Sequence, residues 1–344
     1  MALLAVSTQI QLVRRPRGWP TAGDFRTVRV ELPDLRPGQV RVANEFISVD
    51  PYMRGRMNDA KSYAPPYALG EVMTGGAVGR VTASTADSVV VGDVVVHQLG
   101  WRDVAQGDAG AFRVVPPIAG VPISAYLGVL GMTAFTAYVG LLEVATMVPG
   151  DCVFVSGAAG AVGSMVGQIA RLKSAGRVIG SAGSPEKVAL LTSRYGFDAA
   201  FNYKDGSIAD QLAVAAPGGI DVYFDNVGGD HLETAIGALN DGGRAALCGA
   251  ISQYNTTEVP VGPRNLATMI GRGLTLQGFI VGKYTQLYPA FVAEMTAWLA
   301  AGDIVFDETV ADGIEHAVDA FGTLMRGGNT GKMLVSAGGP AAAA

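Results

Sequence analysis

Short runs of β-branched and apolar residues alternate with longer segments of helical spacing from residue 153 onward. This alternation is typical of βαβ units, in which successive strands form a parallel sheet. Strands are predicted at residues 153–157, 177–182, 199–203, 221–226, 243–249 and 274–280. Six parallel strands are the usual number in a doubly wound dinucleotide-binding domain, so an α/β fold of that type is predicted.

The chain before residue 125 has a different pattern. Strands are predicted at residues 1–13, 39–46 and 89–97, and glycine and proline turns separate them, which indicates an antiparallel, β-rich domain. After the parallel strands, helices are predicted at 288–301 and 314–325, a short strand at 332–335 and a tail at 338–344. Periodicity leaves open whether these last elements complete the nucleotide domain or return to the first one.

Residues 125–142 contain no charged residue and no proline, and a stretch of this length is a candidate for a transmembrane helix. Three glycines, Gly128, Gly131 and Gly140, interrupt the segment, and no basic residue flanks it. No second candidate span occurs in the sequence, and membrane helices usually carry basic flanks on one side. The segment is therefore predicted to be a buried helix, and no membrane partner is expected.

The composition excludes several classes of protein. Of 344 residues, 49% are apolar and 16% are charged, against about 25% charged in typical domains, so a large buried core is expected. The formal charge of −5, without any run of five like charges, argues against a nucleic-acid partner. The two cysteines, Cys152 and Cys248, exclude a disulfide framework and favour a reducing compartment. The amino-terminal stretch lacks the residue order of a secretion signal, so a cytoplasmic location is expected.

The strongest local signal is the segment GAAGAVGS at residues 157–164, which follows a predicted strand and opens a helix. In a dinucleotide-binding turn, one glycine permits the tight turn, one lets the backbone approach a pyrophosphate, and one allows the helix to pack on the strand. Gly157, Gly160 and Gly163 are assigned to these roles, although the pattern from Ala158 is Ala-x-Gly-x-x-Gly and not the full glycine motif. The helix amino terminus then faces the anion.

The residues after the second and third parallel strands favour NADP(H). An NAD site carries a carboxylate about 20 positions after the glycine turn, but Gly183 occupies that position here. Ser184 and Lys187 follow the second strand, and Tyr203 and Lys204 follow the third, so hydroxyl and ammonium groups suited to a 2′-phosphate are predicted. Lys187 also falls in the first turn of a helix, where a cation is unfavourable unless an anion binds it.

Polar residues also follow the fourth and fifth parallel strands, at 225–229 and 248–255, where a doubly wound sheet binds its ligand. They are predicted to face the nicotinamide half of the cofactor, with Tyr254 as either a functional residue or an ordinary loop aromatic. Cys248 is predicted to fill space at a strand end and not to act as a nucleophile. No metal is expected, because the first 150 residues contain no cysteine and a single histidine, His97.

Aromatic and methionine side chains cluster between two proline-bearing turns. The cluster consists of Tyr52, Met53, Met57, Tyr63, Tyr67 and Met73. Such side chains suit an adaptable apolar pocket, although some of them are expected to pack the β-rich domain instead. Tyr52, Met53 and Tyr63 are the predicted substrate-pocket residues.

Six segments carry a resemblance to a known family. They are VDPYMRGRM at 49–57, GGAVGR at 75–80, GMTAFTAY at 131–138, GAAGAVGS at 157–164, CGAISQYN at 248–255 and GNTGKM at 328–333. The chain resembles the zinc-independent medium-chain dehydrogenase/reductases from about residue 8 to 335. Within them it is most similar to the leukotriene hydroxydehydrogenase and prostaglandin reductase branch, which includes bacterial NADPH-dependent curcumin reductases.

This resemblance implies a GroES-like, β-rich substrate domain at residues 1–125, completed by about 311–344, and a Rossmann NADP-binding domain at 126–310. It also implies which residues bind the cofactor. They are Met132, Thr133, Gly160, Ala161, Val162, Gly163, Ser164, Lys187, Tyr203, Asn226, Cys248, Gly249, Ala250, Ile251, Ser252, Tyr254, Phe279, Ile280, Val281 and Asn329. Where zinc-dependent relatives keep a cysteine ligand, this chain has Asp50, Pro51 and Tyr52.

The reaction implied by the resemblance is the reduction of an α,β-unsaturated ketone or aldehyde. Hydride passes from NADPH to the β-carbon, and a proton is added at the α-carbon. The developing enolate oxygen needs oriented donors, and the candidates are a ribose hydroxyl of the cofactor and the phenol of Tyr254, with solvent as a source of the proton. Replacing Tyr254 by Phe is expected to lower turnover while leaving NADPH affinity nearly unchanged.

Two other functions remain open. An NADPH:quinone oxidoreductase would share every cofactor residue, and a non-catalytic NADPH-binding protein would keep the same glycine turn. An alcohol dehydrogenase is disfavoured by the missing metal ligands. The family also suggests a homodimer, in which the sixth parallel strand, 274–281, pairs across a two-fold axis. The physiological substrate does not follow from the sequence.

Overall fold

The computed structural model of the chain describes residues 5–338, which divide into two units. The first unit runs to Leu127 and takes in Glu308–Asn329 and the chain from Met333 onward, and the second comprises Gly128–Asp307 and Thr330–Lys332. Residues 1–4 of the predicted opening strand and 339–344 of the predicted tail lie outside the described residues.

Fifteen strands occur in the described residues. In chain order they are β1 (Val6–Leu12), β2 (Phe25–Glu31), β3 (Gln39–Ser48), β4 (Ala77–Ser84), β5 (Val94–His97), β6 (Val104–Asp108), β7 (Arg113–Val114), β8 (Cys152–Val155), β9 (Arg177–Ala182), β10 (Ala199–Asn202), β11 (Ile220–Asp225), β12 (Leu239–Leu247), β13 (Thr275–Gly278), β14 (Glu308–Asp312) and β15 (Lys332–Ser336).

Nine α-helices accompany these strands in the same part of the chain. They are α1 (Tyr52–Arg56), α2 (Met132–Val139), α3 (Gly163–Leu172), α4 (Pro185–Ser193), α5 (Ile208–Ala215), α6 (Gly229–Ala238), α7 (Thr268–Arg272), α8 (Tyr288–Ala301) and α9 (Ala317–Met325). Short 3₁₀ helices lie between them, and one π-helical turn, Gly140–Val144, follows α2 directly.

The second unit contains the predicted parallel sheet. Its strand order is β10-β9-β8-β11-β12-β13, and all neighbouring strands run parallel. This order confirms the doubly wound fold, because the chain builds outward from β8 in both directions. Strand β11 is buried along almost its whole length, as expected for a strand that helices cover on both faces.

One strand of this sheet begins earlier than predicted. Strand β12 starts at Leu239 and not at residue 243, and it pairs there with Ile220 before a shift in register. Leu239 is fully buried, but the polar Asn240 and Asp241 that follow interrupt the apolar pattern. The missed start therefore reflects a local irregularity that alternation alone does not report.

The core of the second unit includes three aromatic rings from adjacent parts of the sheet. Phe154 of β8 stacks on Tyr223 of β11 with ring centroids 5.2 Å apart, and on Phe201 of β10 at 5.7 Å. All three side chains are buried. Buried aromatic pairs add to the stability from area burial alone, so these rings hold the centre of the sheet in place.

The first unit is β-rich and antiparallel, as predicted. Its larger sheet has the order β14-β15-β3-β4-β5-β7, with β6 also paired to β3, and β1 and β2 form a separate hairpin. Strand β15 pairs antiparallel with β3. Strands β14 and β15 therefore return to the first unit, while α8 belongs to the second and α9 to the first.

The uncharged segment 125–142 forms short helices and not one long one. The 3₁₀ helix Ile123–Leu127 ends in it, α2 follows, and the π-helical turn begins at Gly140. Most side chains of α2 are buried, and a Cβ at Gly140 would lie 2.5 Å from the ring of Phe224. In residues 5–338, no helix combines the length and the apolar character that crossing a membrane requires.

Candidate functional site

Most of the predicted cofactor residues lie on segments that follow strands of the parallel sheet. Strands β9, β8, β11 and β12 are neighbours, and because they are parallel, the residues that follow them lie at the same edge. The order reverses between β8 and β11, the point at which doubly wound sheets bind ligands. The glycine turn after β8 and Asn226 after β11 therefore stand side by side at this point.

The glycine turn has the geometry that an anion site requires. Gly157 has φ of +60°, a conformation that favours glycine. A Cβ on Gly163 would lie 2.5 Å from Gly157 O and 2.7 Å from Ala158 Cα, so α3 packs on the strand end only because this residue is glycine. Within residues 5–338, no acceptor pairs with the N–H groups of Ala161, Val162 or Gly163. Three adjacent unpaired donors at a helix start suit a phosphate.

A small, partly open cleft adjoins this turn. Three predicted residues, Thr133, Ala161 and Ser164, line it. Its other lining residues are Gly128, Val129, Met165, Phe306, Asp307, Gly331 and Lys332. The unpaired donors thus lie beside this cleft, and their chemistry fits the pyrophosphate of the dinucleotide predicted from the sequence.

Two segments of this cleft were missed by sequence reasoning. Gly331 N donates to Ala159 O at 2.9 Å, and Lys332 N donates to Asp307 O at 2.9 Å. The Asp307 carboxylate in turn accepts from Arg194 Nε at 2.9 Å and from the hydroxyl of Tyr195 at 2.5 Å. The only signal for these residues was the family segment at 328–333, which contains Gly331 and Lys332.

The residues predicted to bind a 2′-phosphate lie together after β9 and β10. Ser184 caps α4, its hydroxyl accepting from Lys187 N at 3.4 Å. Burial lowers the pKa of Lys187, and the nearby Lys204 lowers it further. Lys204 Nζ lies 5.8 Å from the ring of Tyr203. A phosphate bound between the two ammonium groups would relieve their repulsion.

The geometry at residue 183 explains the absence of an acidic side chain. A Cβ at Gly183 would lie 3.0 Å from the hydroxyl oxygen of Tyr203 and 3.1 Å from its Cε1. Tyr203 therefore occupies the space in which an NAD-binding carboxylate would have to sit. The arrangement favours the phosphorylated cofactor over the unphosphorylated one.

The loop after β12 is tied to the turn after β11. Cys248 N and Gly249 N donate to Asp225 O at 2.9 and 3.0 Å, and Ile251 N donates to Asn226 O at 3.3 Å. Ser252 also donates to Val227 O, through its hydroxyl at 2.6 Å. The predicted residues 226 and 248–252 thus form one connected surface.

The side chain of Tyr254 lies against the start of this loop, beside Gly249 and Ala250. Its hydroxyl oxygen accepts from Ala250 N at 3.2 Å, and a Cβ on Gly249 would lie 3.2 Å from that oxygen. Because the oxygen accepts this bond, the hydroxyl proton remains available to donate elsewhere. Burial raises the pKa of Tyr254, which keeps the phenol protonated at neutral pH.

Cys248 is not an activated thiol. Burial raises its pKa to about 12, with a smaller contribution from Asp225. A nucleophilic cysteine needs a lowered pKa, so the thiol fills space at the strand end.

The remaining predicted cofactor residues have different surroundings. Thr133 is buried and donates to Gly128 O at 3.1 Å, whereas Met132 is exposed. Phe279 follows β13 and contacts the ring of Phe224 edge to face, with centroids 6.3 Å apart. Ile280 and Val281, next in the chain, are half-buried. Asn329 is buried in the first unit, between α9 and β15.

The aromatic and methionine residues of the predicted substrate cluster lie in the first unit, and their side chains differ in how far they are exposed to solvent. Met53 is fully buried, as are Met57 and Met73, and Tyr67 is nearly so, whereas the Tyr63 side chain is 63% exposed. Tyr52 is half-buried on α1, and burial, with a further contribution from Asp50, raises its pKa above the ordinary range. Most of the methionines therefore pack the core of this unit.

The residues of a metal site do not come together. In the described part of the chain, no three His, Cys, Asp or Glu side chains are placed to hold a metal ion. His97 Nδ1 accepts from Leu99 N at 3.0 Å, and its Nε2 bonds to Asn44 Oδ1 at 2.9 Å. Burial lowers the pKa of His97 to about 3, so it is a neutral, hydrogen-bonded core residue.

The chain is similar to known oxidoreductases over nearly its whole length. Two family models match the chain, one described as the N-terminal domain of oxidoreductase at residues 8–115 and one as zinc-binding dehydrogenase at 161–298. The NADPH-dependent curcumin reductase of Escherichia coli is 39% identical over 339 residues, which cover 95% of this chain and 96% of that protein. Prostaglandin reductase 1 of Rattus norvegicus is 41% identical over 325 residues, covering 93% and 96% respectively. The crystal structure of CurA from Vibrio vulnificus in complex with NADPH superimposes with a TM-score of 0.92 at 43% identity, over 97% of this chain and 100% of that one.

Proposed function

Because the chain belongs to the zinc-independent medium-chain dehydrogenase/reductases, in the branch of the prostaglandin and curcumin reductases, we propose that it reduces the carbon–carbon double bond of α,β-unsaturated ketones and aldehydes. It is an NADP-dependent oxidoreductase. The observation that carries the proposal is the hydroxyl of Tyr254, which accepts a backbone N–H and keeps its own proton for a ligand.

Each part of the carboxyl edge has a proposed role toward NADP(H). The unpaired N–H groups of Ala161, Val162 and Gly163 bind the pyrophosphate, and Lys187 and Tyr203 bind the 2′-phosphate. Asn226 and the loop 248–254 hold the nicotinamide half. NADPH supplies the hydride. We propose that the second unit is the NADP-binding domain on these grounds.

Reduction of an enone develops negative charge on the carbonyl oxygen of the substrate. A preorganised donor lowers the energy of that charge more in a water-poor site than in water. Tyr254 is such a donor, since its raised pKa keeps the proton on the phenol and the bond from Ala250 N fixes its oxygen. The α-carbon then receives its proton from solvent or from a protein hydroxyl.

Tyr52 and Tyr63 are proposed to contact the substrate from the first unit, which is the proposed substrate domain. Both present aromatic surface that is not wholly buried, and aromatic side chains suit the conjugated, apolar part of an enone. Met53 also lies on α1, but its side chain is fully buried, so it packs in the core and holds the helix in position.

The test is the rate of NADPH absorbance loss with purified protein, with NADPH or NADH, and with a panel of acceptors. The panel contains an alkenal, an alkenone, an oxo-prostaglandin-like enone, curcumin and a benzoquinone. Turnover of the enones with NADPH preferred, and little of the quinone, is expected. Reaction with the quinone alone would establish the quinone oxidoreductase alternative, and NADPH binding without any turnover would establish a non-catalytic NADPH-binding protein.

A homodimer through the edge of the parallel sheet is also proposed. Among the described strands, β13 pairs only with β12, and the segment before it exposes Val259, Val261 and Ile270, which are 79–89% exposed. Exposed apolar side chains beside an unpaired strand edge favour association of two copies. Light scattering is expected to give the mass of a dimer, and Ile270→Lys that of a monomer. A wild-type monomer at working concentration would remove this proposal.

The proposed location is the cytoplasm. Both cysteines are free, and they lie at strands of one sheet without forming a disulfide. Unpaired thiols are typical of a reducing compartment.

A further inference from the structure

A single buried carboxylate oxygen collects four hydrogen bonds at the carboxyl end of β11. Asp225 is 2% exposed. Its Oδ1 accepts from the Tyr223 hydroxyl at 2.7 Å, the Ser156 hydroxyl at 3.1 Å, Val227 N at 2.9 Å and Gly228 N at 2.8 Å. Charged acceptors make stronger hydrogen bonds than neutral ones, so this side chain is the fixed point of the turn 225–228.

The Ser156 hydroxyl extends this bonding to Asn226. It donates to Asp225 and accepts from Asn226 N at 3.0 Å. The Asn226 side chain donates through Nδ2 to Ser156 O at 2.8 Å. The amide is therefore held by one end, and its Oδ1 remains available to accept from a ligand.

The main chain of Asp225 reaches a third segment. Its carbonyl oxygen accepts from Cys248 N and Gly249 N, the start of the loop that carries Tyr254. Asp225 thus contacts the end of β8, the Asn226 turn and the Cys248 loop at once. Asn226 also bonds to the end of β8 and to this loop, through Ser156 and Ile251 N, but its side chain carries no charge.

We propose that Asp225 is a positioning residue for the nicotinamide half of the cofactor. Its carboxylate fixes the orientation of Asn226 through Ser156, and its position sets the distance between the Asn226 turn and the loop 248–254. It touches neither cofactor nor substrate. This inference rests on the proposed function, in which Asn226 and that loop hold the nicotinamide.

The physical consequence of losing the charge is a change in geometry at a preorganised site. In Asp225→Asn the amide keeps one neutral acceptor oxygen but meets the same four donors, which weakens the bonds and permits a flipped amide that repels two backbone N–H groups. A displacement of about 1 Å in a positioned group can lower the rate of an enzyme by about a hundredfold.

The experiment compares Asp225→Asn and Ser156→Ala with a matched aspartate of the same strand. Asp221 lies at the amino end of β11, where its carboxylate accepts from Cys152 N at 2.8 Å and Asn240 Nδ2 at 2.9 Å. Asp221→Asn therefore removes a hydrogen-bonded charge from the same strand without touching the carboxyl edge. For each variant, the Tm, the NADPH Kd, kcat and the primary isotope effect with 4-deuterated NADPH are measured on the full chain.

Asp225→Asn and Ser156→Ala are each expected to raise the NADPH Kd and lower kcat by about tenfold and to change the isotope effect. Asp221→Asn is expected to lower Tm while leaving Kd, kcat and the isotope effect within about twofold. If Asp225→Asn and Ser156→Ala lower only Tm, as Asp221→Asn does, the positioning role is overturned. Should Asp225→Asn fail to fold, Ser156→Ala decides alone.

The variant Asn226→Ala shows whether a failed prediction lies with the role of Asp225 or with the proposed cofactor site. If it leaves NADPH binding and turnover unchanged, the placement of Asn226 at the cofactor is wrong. If it weakens both while Asp225→Asn and Ser156→Ala do not, the site stands and only the role of Asp225 is overturned.

Discussion

At the amino edge of the parallel sheet, three aspartates are paired with neighbouring groups of the protein. Asp151 accepts from Val148 N at 2.8 Å and forms an ion pair with Arg244. Asp198 accepts from Val178 N at 2.7 Å, and Asp221 from Cys152 N at 2.8 Å. Hydrogen-bonded carboxylates of this kind lock adjacent segments together.

At the carboxyl edge of the same sheet, several polar groups have no such partner among the described residues. The N–H groups of Ala161–Gly163 are unpaired, and so are the buried Ser181 Oγ and His231 Nε2. A buried polar group left unpaired costs about 1–3 kcal/mol. We therefore propose that the amino edge serves stability, whereas the carboxyl edge keeps these unpaired groups for a ligand.

The largest effect is expected from Gly163→Ala. The new methyl group would meet backbone atoms of Gly157 and Ala158 at 2.5–2.7 Å, so α3 must move away from the turn and its donors lose their alignment. NADPH affinity is expected to fall by about a hundredfold or more, since overpacking costs about 1–3 kcal/mol and misaligned donors add to it. Fluorescence titration with NADPH measures this.

The matched control for that variant is Gly218→Ala at the amino edge. A Cβ there meets no atom within 4 Å, so NADPH affinity is expected to stay within about twofold. If Gly163→Ala binds NADPH as tightly as the wild type does, the proposed difference in function between the two edges is wrong.

Tyr254→Phe is expected to have the next largest effect. It removes the proposed donor to the enolate oxygen, and such donors contribute about a hundredfold to kcat. NADPH affinity should remain nearly unchanged, because the ring stays in place. Steady-state kinetics and NADPH titration together test this. Equal losses in turnover and affinity, or no loss in either, would contradict the assignment.

Lys187→Ala is expected to raise the KM for NADPH by about tenfold, because one charge-assisted hydrogen bond to the 2′-phosphate is lost. The KM for NADH should not change, since that cofactor lacks the phosphate. Lys173 follows the carboxyl end of α3, a different helix from that of Lys187, and forms an ion pair with Glu294. Lys173→Ala removes that pair and should affect neither KM. Equal weakening of both cofactors by Lys187→Ala would show that the lysine acts on general stability.

The smallest effect on function is expected from Asp151→Asn. The loss of its charged bonds to Val148 N and Arg244 should lower the free energy of unfolding by about 1–3 kcal/mol and leave NADPH affinity unchanged. Urea unfolding and NADPH titration measure the two quantities, with the exposed Asp241→Asn as the control. Weaker NADPH binding in Asp151→Asn would show that the amino edge also shapes the site.

Local patterns predicted most of the parallel sheet. The helix predicted at 288–301 matches α8, and the strand predicted at 177–182 matches β9, because periodicity reports which residues of a regular element face the core. The strand predicted at 89–97 forms only from Val94. Val90 and Val91 are apolar but exposed, and Asp93 accepts from Val90 N at 2.8 Å to make a turn.

The glycine turn, and the glycine at position 183 in place of a carboxylate, could be identified for a similar reason. Both features depend on residues that are close together in the chain. The cleft residues Asp307 and Lys332 could not be predicted in this way, because they line the cleft with Ala161 although they lie far from it in the chain. Nor did any pattern indicate that Ser156 bonds to Asp225, a residue 69 positions away. Periodicity and turn motifs encode local conformation, whereas the partners of a buried polar group depend on which strands the fold makes neighbours.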